Sequence, residues 1–237
     1  MPPEGESLML YTPFDPLYLF LVLPAFIFSL WAQAMVSSRF KKYSAQRTIN
    51  GITGVDAARQ VMERAGVYNV PIERVTGNLS DHYDPRTNVI RLSENVYDTA
   101  SVAAVGVAAH EAGHAIQYAT SYAPIRMRAA IIPVTNIGSK LSVPLIIIGM
   151  LMEMTGLINI GIILFGTVVV FQLITLPVEF NASRHAVSSL SQTGLLNDDE
   201  LSGSKKVLSA AALTYVGALA VSLAQLIRML AVSRRRR

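Results

Sequence analysis

Residues 101–118 read SVAAVGVAAHEAGHAIQY, and this segment carries the strongest structural and chemical signal in the chain. Its small, helix-forming residues predict one helix that begins at Thr99 or Ser101 and ends near Tyr118. Within it, residues 110–114 match the pattern H-E-x-x-H. Residues four apart share one face of a helix, so His110 and His114 can bind the same Zn²⁺. Glu111 lies beside that pair, where it can take a proton from a metal-bound water.

The surroundings of the motif favour a metal site over a pair of buried structural histidines, which is the simpler alternative. Two of the four histidines of the chain fall in the motif. The small residues around them leave room for a metal and a substrate; they are Ala109, Ala112, Gly113 and Ala115. A catalytic zinc site uses three protein ligands and keeps one position open, so a third ligand is needed.

The residues that follow His114 contain no further histidine at the spacing of longer zinc motifs, so the third ligand must come from elsewhere. Glu179 is the favoured candidate. It directly follows the long apolar run 154–178, and a carboxylate at the end of a membrane-spanning run calls for a reason such as metal ligation. The alternative is an interfacial carboxylate that caps a helix or pairs with Arg184. The competing carboxylates are Glu153, expected at the opposite membrane face, and Asp198, Asp199 and Glu200, expected in a solvated acidic turn.

The segment before the motif predicts a small α+β domain. Thr53 and Asp56 form a capping box that opens an amphipathic helix, and Gly66 ends it. Residues 70–76 alternate like a short strand, residues 84–88 have turn chemistry, and residues 89–92 form a second β-prone run.

The composition indicates a membrane protein with a modest polar domain. Hydrophobic residues make up 51% of the 237 residues, charged residues only 15%, and there is no cysteine. These values exclude a disordered chain, a basic nucleic-acid-binding protein and a disulfide-stapled secreted domain. Four apolar runs are candidate transmembrane helices: 16–38, 129–152, 154–178 and 207–227. A cleaved signal peptide is the alternative for the first run, and a buried soluble hairpin is the alternative for the two middle runs.

Lysine and arginine residues follow the first run, namely Arg39, Lys41, Lys42 and Arg47, and none precedes it. The positive-inside rule therefore predicts that residues 39–128 lie in the cytoplasm. The hairpin of the two middle runs returns residues 179–206 to the same side. A fourth full crossing places the terminal run 234–237 outside, which goes against the rule.

Three segments together resemble a known family: DHYDPRTNVIRLSENVY at 81–97, VAAHEAGHAIQ at 107–117 and LPVEFNASRHA at 176–186. The chain is similar to the neutral zinc metallopeptidases of bacterial membranes, the YugP-like proteins, and more distantly to the HtpX-like membrane proteases. The resemblance implies that His110, His114 and Glu179 hold zinc and that Glu111 is the base. Where HtpX-like enzymes carry an aspartate four residues after the ligand glutamate, this chain has Ser183.

The predicted architecture is α+β and mostly α, with a zincin-like domain fused to about four transmembrane helices. The predicted segments are an N-terminal segment and span (1–38), the zincin-like domain (39–128), a transmembrane hairpin (129–178), a third-ligand helix and loop (179–206) and a C-terminal span with a basic tail (207–237).

The predicted function is that of a multi-pass, membrane-anchored zinc endopeptidase of the cell membrane, which binds one Zn²⁺ per chain. Its partners are a peptide or protein substrate and the lipid bilayer, with no nucleic acid. An extended substrate is expected to pair with the strand at 88–92. The candidates for orienting the metal ligands or stabilising the oxyanion are Tyr83, Ser183, Arg184 and His185. A site-two-like intramembrane protease and a non-catalytic zinc-binding scaffold or assembly factor remain the alternatives, and the oligomeric state stays open.

Overall fold

The computed structural model describes residues 15–77 and 80–235 of the chain. It is mostly helical, with one small sheet, as the sequence predicts. In chain order the elements are a π-helical turn Tyr18–Val22, α1 Leu23–Ser44, α2 Gly54–Arg64, β1 Ile72–Val75, β2 His82–Asp84, β3 Val89–Ser93, α3 Glu94–Tyr97, α4 Val102–Ala119, α5 Ala123–Leu151, α6 Thr155–Thr193 and α7 Asp198–Arg235.

The chain forms two compact units. The mixed unit contains residues 33–126 and 176–213, and the helical unit contains the described parts of 1–32, 127–175 and 214–237. All four predicted segment boundaries lie inside continuous helices: 38/39 in α1, 128/129 in α5, 178/179 in α6 and 206/207 in α7.

In the mixed unit, local sequence signals set the ends of two helices. The Thr53 side chain and the Asp56 carboxylate form the expected capping box at the start of α2. Gly66 has a φ of +75°, a left-handed conformation that glycine adopts without strain, and it follows the end of α2. The Ser101 side chain accepts a hydrogen bond of 3.2 Å from the Ala104 N–H, so α4 begins at Val102. Ser101, not Thr99, is therefore the cap of the motif helix.

The sheet has the strand order β1-β3-β2, with β3 parallel to β1 and antiparallel to β2. Ile90 of β3 is opposite Ile72 on one side and Tyr83 on the other. Both edges of β3 are therefore paired within the protein. The prediction that an extended peptide pairs with residues 88–92 is wrong for this reason.

The core of the mixed unit lies around α4. Buried side chains from α2, β3, α6 and α7 pack into one cluster with it; they include Val61, Ile90, Leu92, Val105, Leu190 and Leu208. The apolar faces of α2 and β3 predicted from the sequence are thus covered by α4. This packing fixes the helix that carries the H-E-x-x-H motif.

The acidic residues at the start of α7 differ in their surroundings. Asp198 and Asp199 are exposed, as the predicted solvated turn requires. Glu200 is only 1% exposed, and its carboxylate accepts hydrogen bonds from the N–H groups of Ile49 at 2.7 Å and Asn197 at 2.9 Å. The prediction of a solvated residue is wrong for Glu200, because it caps α7 and binds a distant loop at the same time.

The four long apolar helical segments of the protein run through the helical unit and extend into the mixed unit. Four helical segments of the described chain are long and apolar enough to cross a bilayer: Tyr18–Ser44, Ala123–Leu151, Thr155–Thr193 and Asp198–Arg234. Each overlaps one of the four predicted apolar runs almost completely; the runs 16–38, 129–152 and 154–178 extend one or two residues beyond the helices. Within this unit a Cβ added at Gly161 of α6 would lie 2.8 Å from the Ser142 carbonyl oxygen of α5, so the two helices pack closely as a hairpin.

Candidate metal centre

Three side chains of the mixed unit converge beside α4. The Nε2 atom of His110 lies 3.3 Å from Oε2 of Glu179, and the Nε2 atom of His114 lies 3.7 Å from the same oxygen. The two imidazole rings meet edge to face, with 4.7 Å between their centroids. Glu179 is 2% exposed and His114 9% exposed. The structure thus brings the predicted third ligand to the two histidines of the motif, across 65 residues of chain.

This donor set fits a zinc ion. Zinc bonds to imidazole nitrogen and carboxylate oxygen are about 2.0–2.2 Å long, so donor atoms of a tetrahedral site lie about 3.3 Å apart. The two histidine-to-glutamate separations of 3.3 and 3.7 Å match that geometry. Two neutral imidazoles and one carboxylate are also the donor types that suit a catalytic zinc. Among the residues that the structure describes, the group contains no fourth histidine, aspartate or glutamate.

Each histidine is also held from its other ring nitrogen. Nδ1 of His110 lies 3.1 Å from the Ser183 hydroxyl, and Nδ1 of His114 lies 3.0 Å from Oε1 of Gln117. The amide nitrogen of Gln117 donates to the Val178 carbonyl at 2.8 Å, which fixes which end of the amide faces His114. His114 therefore donates its Nδ1 proton to Gln117 and keeps the lone pair on Nε2 for a metal.

Glu111 is 8% exposed and lies beside this group. One carboxylate oxygen accepts a hydrogen bond of 3.0 Å from the backbone N–H of Tyr83 on β2. The Tyr83 hydroxyl bonds to Oδ1 of Asn88 at 2.7 Å, and its ring contacts that of Tyr118 at 5.4 Å. The edge of the sheet thus orients the predicted base through its main chain.

The other predicted site residues lie on different faces of α6. Ser183 follows Glu179 by four positions, about 40° around the helix, and so shares its face. Arg184 and His185 are about 140° and 120° from that face, in opposite directions. Arg184 is exposed, and His185 is half-buried. Of these three, only Ser183 touches a member of the metal group.

Comparison with known proteins gives the family of the chain. The family described as "Putative neutral zinc metallopeptidase" matches residues 18–234, which include both units and all three donors. The chain belongs to this family. It is also 48% identical over 216 residues to the "Putative membrane protease YugP" of Bacillus subtilis (strain 168), covering 91% of this chain and 96% of that protein. No solved structure matches the chain.

Sequence reasoning missed Gln117, although a signal for it existed in the motif helix. Gln117 follows His114 by three positions, and residues three apart are neighbours on a helix. It is completely buried, and its amide nitrogen also donates to Oδ1 of Asn181 at 2.8 Å. A glutamine that makes three hydrogen bonds in the interior ties the motif helix to the helix that carries Glu179.

The sequence predicts only that Gly113, between Glu111 and His114, leaves room for a metal and a substrate; the structure adds a packing role. A Cβ at this position would lie 2.6 Å from the carbonyl oxygen of Ala182, so only glycine allows α4 and α6 to approach this closely. Ala182 lies one turn beyond Glu179. The close contact therefore sets how far the carboxylate of Glu179 reaches toward the histidines.

Electrostatics in the site favour a bound cation. Burial alone lowers the pKa of His114, but the hydrogen bond to Glu179 and the charges of Glu111 and Glu179 outweigh it and raise the pKa above its usual value. A metal needs the Nε2 lone pair, so it competes with a proton for this nitrogen. Burial and the neighbouring Tyr118 and Asp84 raise the pKa of the Tyr83 hydroxyl, so this phenol stays protonated at neutral pH.

Proposed function

We propose that this family member is a membrane-anchored zinc endopeptidase in which His110, His114 and Glu179 bind the metal and Glu111 is the general base. The observation that carries the proposal is the convergence of the three donors with the Glu111 carboxylate held beside them by Tyr83. Family membership and the match to a membrane protease relative support the same reaction class.

Zinc, when bound, acidifies a water molecule and polarises the peptide carbonyl as a Lewis acid. Glu111 accepts the proton that the attacking water loses and delivers it to the nitrogen of the leaving amine. The Tyr83 N–H keeps one carboxylate oxygen in place, so the other is left to handle the proton. Ser183 and Gln117 hold the two imidazole rings in the orientation that directs Nε2 toward the metal.

The geometry of β2 supports an extended peptide substrate on that edge strand. Tyr83 is opposite Ile90, and the Ile90 N–H donates to Pro71 on the far side, so this pair is not hydrogen-bonded across the ladder. The N–H and C=O of Tyr83 therefore both point away from β3. We propose that its carbonyl oxygen accepts an N–H from a peptide that pairs with β2 next to Glu111.

Two observations weigh against the alternatives. A site-two-like protease carries its motif inside a membrane-spanning helix, but α4 is not among the four candidate spans of the described chain and packs on the sheet instead. A structural zinc site is closed by a fourth protein ligand, whereas the group contains three residues within the described ranges. The first observation weighs against an intramembrane protease. The second favours a metal site with an open, catalytic position.

We further propose that the protein lies in the cell membrane with the metal centre on the cytoplasmic side. The support is the cluster of basic residues after the first candidate span, which the positive-inside rule places in the cytoplasm. The peptide bonds that it cleaves would then belong to cytoplasmic proteins or to cytoplasmic parts of membrane proteins.

The test of the metal site is zinc analysis of the purified full-length protein. We expect about one zinc per chain, and a strong loss of zinc in His110→Ala, His114→Ala and Glu179→Gln. Asp199→Asn is the matched control, because Asp199 is an exposed carboxylate in the first turn of α7. This substitution should leave zinc content unchanged. If Glu179→Gln binds zinc like the wild type, Glu179 is not the third ligand.

A further inference from the structure

A cleft of about 890 Å³ lies between α6 and α7 in the mixed unit. Its floor and walls combine apolar side chains, serine hydroxyls and two cations. The lining residues that matter here are Phe180, Arg184, Ser188, Lys205, Ser209 and Leu213. The proposed peptidase reaction does not take place in this cleft, although Ser183, which contacts His110, is one of its lining residues.

The position of the cleft along the two helices places it at the membrane surface. On α6 the uncharged run 154–178 ends six residues before Arg184, which is about 9 Å along a helix. On α7 the uncharged run 207–227 begins two residues after Lys205. A bilayer has a hydrocarbon core of about 30 Å and polar layers that bring it to about 40–45 Å. With these two runs across the hydrocarbon core, Arg184 and Lys205 would lie at the depth of lipid phosphates.

The charges and polar groups of the cleft suit an anion. Arg184 and Lys205 are exposed, and neither forms an ion pair with another residue in the described ranges. The one acidic lining residue, Asp198, lies seven positions before Lys205, about 10 Å away along α7. Ser188 and Ser209 add hydroxyl groups on both walls. Arginine and lysine bind phosphate oxygens through charge-assisted hydrogen bonds.

Apolar side chains line the cleft on both sides of the two cations, and Phe180 and Leu213 are those that lie toward the uncharged runs. Phe180 directly follows Glu179 at the end of the α6 run, and Leu213 lies well inside the uncharged run of α7. A ligand that extends along the cleft from Arg184 and Lys205 toward the uncharged runs passes from two cations to the apolar side chains of Phe180 and Leu213. A phospholipid has both a charged headgroup and apolar chains, whereas a soluble anion has the charge without the apolar part.

We propose that the α6–α7 cleft binds an anionic phospholipid, with its phosphate between Arg184 and Lys205 and an acyl chain along Phe180 and Leu213. Basic pockets between membrane helices on the cytoplasmic side bind such headgroups in general. Each basic residue near a membrane surface contributes about 1 kcal/mol, so removing one should weaken binding about five-fold.

The experiment measures binding of phosphatidylglycerol and phosphatidylcholine to the purified full-length protein by native mass spectrometry, together with its melting temperature in each lipid. The variants are Arg184→Gln and Lys205→Gln. Lys206→Gln is the matched control, because it removes the same charge from the neighbouring exposed residue, which is not part of the cleft lining. We expect preferential binding of phosphatidylglycerol by the wild type, about five-fold weaker binding in each cleft variant, and little change in Lys206→Gln.

Any of three results would overturn the proposal. The first is equal binding of the two lipids by the wild type. The second is a loss in Lys206→Gln as large as in Arg184→Gln, which would show general surface charge. An acidic soluble peptide that binds the cleft in place of phosphatidylglycerol would show a protein-docking surface and refute the lipid assignment. These readouts need no hydrolysis, so the same measurements on Glu111→Gln separate this proposal from the proposed reaction.

Discussion

Replacement of Gln117 by leucine is the sharpest test of how the metal centre is held. The side chain is completely buried and makes hydrogen bonds of 3.0 Å to His114 and of 2.8 Å to both Val178 and Asn181. Leucine fills a similar volume and makes none of these bonds. The His114 N–H is then buried without its partner, and such a group costs about 1–3 kcal/mol.

The two groups that accept hydrogen bonds from Gln117, the Val178 carbonyl and the Asn181 amide oxygen, are less affected by its loss. The Val178 carbonyl keeps its bond within α6, and Asn181 is half-buried and can reach water. We therefore expect Gln117→Leu to lower the free energy of unfolding of the metal-free protein by about 2–4 kcal/mol. Because His114 also loses the group that fixes its tautomer and ring orientation, zinc affinity should fall about 10–100-fold.

Gln117→Glu separates the two roles of the side chain. A carboxylate still accepts the Nδ1 proton of His114, but it cannot donate to Val178 or Asn181. This variant should lose stability and yet hold zinc more tightly than Gln117→Leu. The assay is zinc competition with a chromophoric chelator, together with melting in the presence of a chelator. Gln192→Leu is the control on the exposed part of α6, and it should change neither quantity appreciably.

A Gln117→Leu protein that folds and binds zinc within two-fold of the wild type would contradict this role of Gln117. Equal losses of zinc affinity in Gln117→Glu and Gln117→Leu would contradict it as well, because orientation of His114 would then not matter.

Three further predictions follow from other contacts. Gly113→Ala places a Cβ 2.6 Å from the Ala182 carbonyl oxygen, so it should force α4 and α6 apart and reduce both the melting temperature and zinc affinity. Glu200→Ala removes a buried acceptor of two backbone N–H groups; unfolding free energy should fall by about 1–3 kcal/mol while zinc affinity is retained. Since the chain has no cysteine, single introduced cysteines can report membrane sidedness without background, and one side should label at Lys42, Tyr118 and Ser191 and the other at Gly156.

Each of these predictions has a control or a contrary result. Gly166→Ala is the control for Gly113, because a Cβ at Gly166 meets nothing within 4 Å. Asp199→Ala is the control for Glu200, since Asp199 is exposed on the same turn. Labelling of Tyr118 and Ser191 from opposite sides would contradict the placement of α4 and the third-ligand helix on one side.

The sequence predicts those features that depend on neighbours along the chain. The capping box at Thr53, the stop at Gly66 and the motif helix all use residues within a few positions of each other, and local chemistry determines them. The four apolar runs are equally readable, because span length follows from bilayer thickness. The H-E-x-x-H pair needs only the helical repeat.

Features that depend on distant partners were harder to predict. Residues 89–92 have the composition of a strand, but nothing local shows that β1 pairs in parallel on one side and β2 on the other. Glu200 resembles its exposed neighbours until Ile49, 151 residues earlier, supplies the N–H that it binds. The sequence favours Glu179 over the competing carboxylates, but it does not show that Glu179 reaches the histidines. That contact depends on the path of α6 beside α4.

The reaction itself is tested most directly by the rate of peptide hydrolysis in Glu111→Gln compared with the wild type, both purified full-length and matched for zinc content. The variant keeps all three metal donors and the acceptor oxygen for the Tyr83 N–H, and it loses only the ability to take a proton. The proposed mechanism predicts equal zinc binding and a rate lower by about 10²–10⁴-fold. Hydrolysis by Glu111→Gln at the wild-type rate would contradict the assignment of Glu111 as the base.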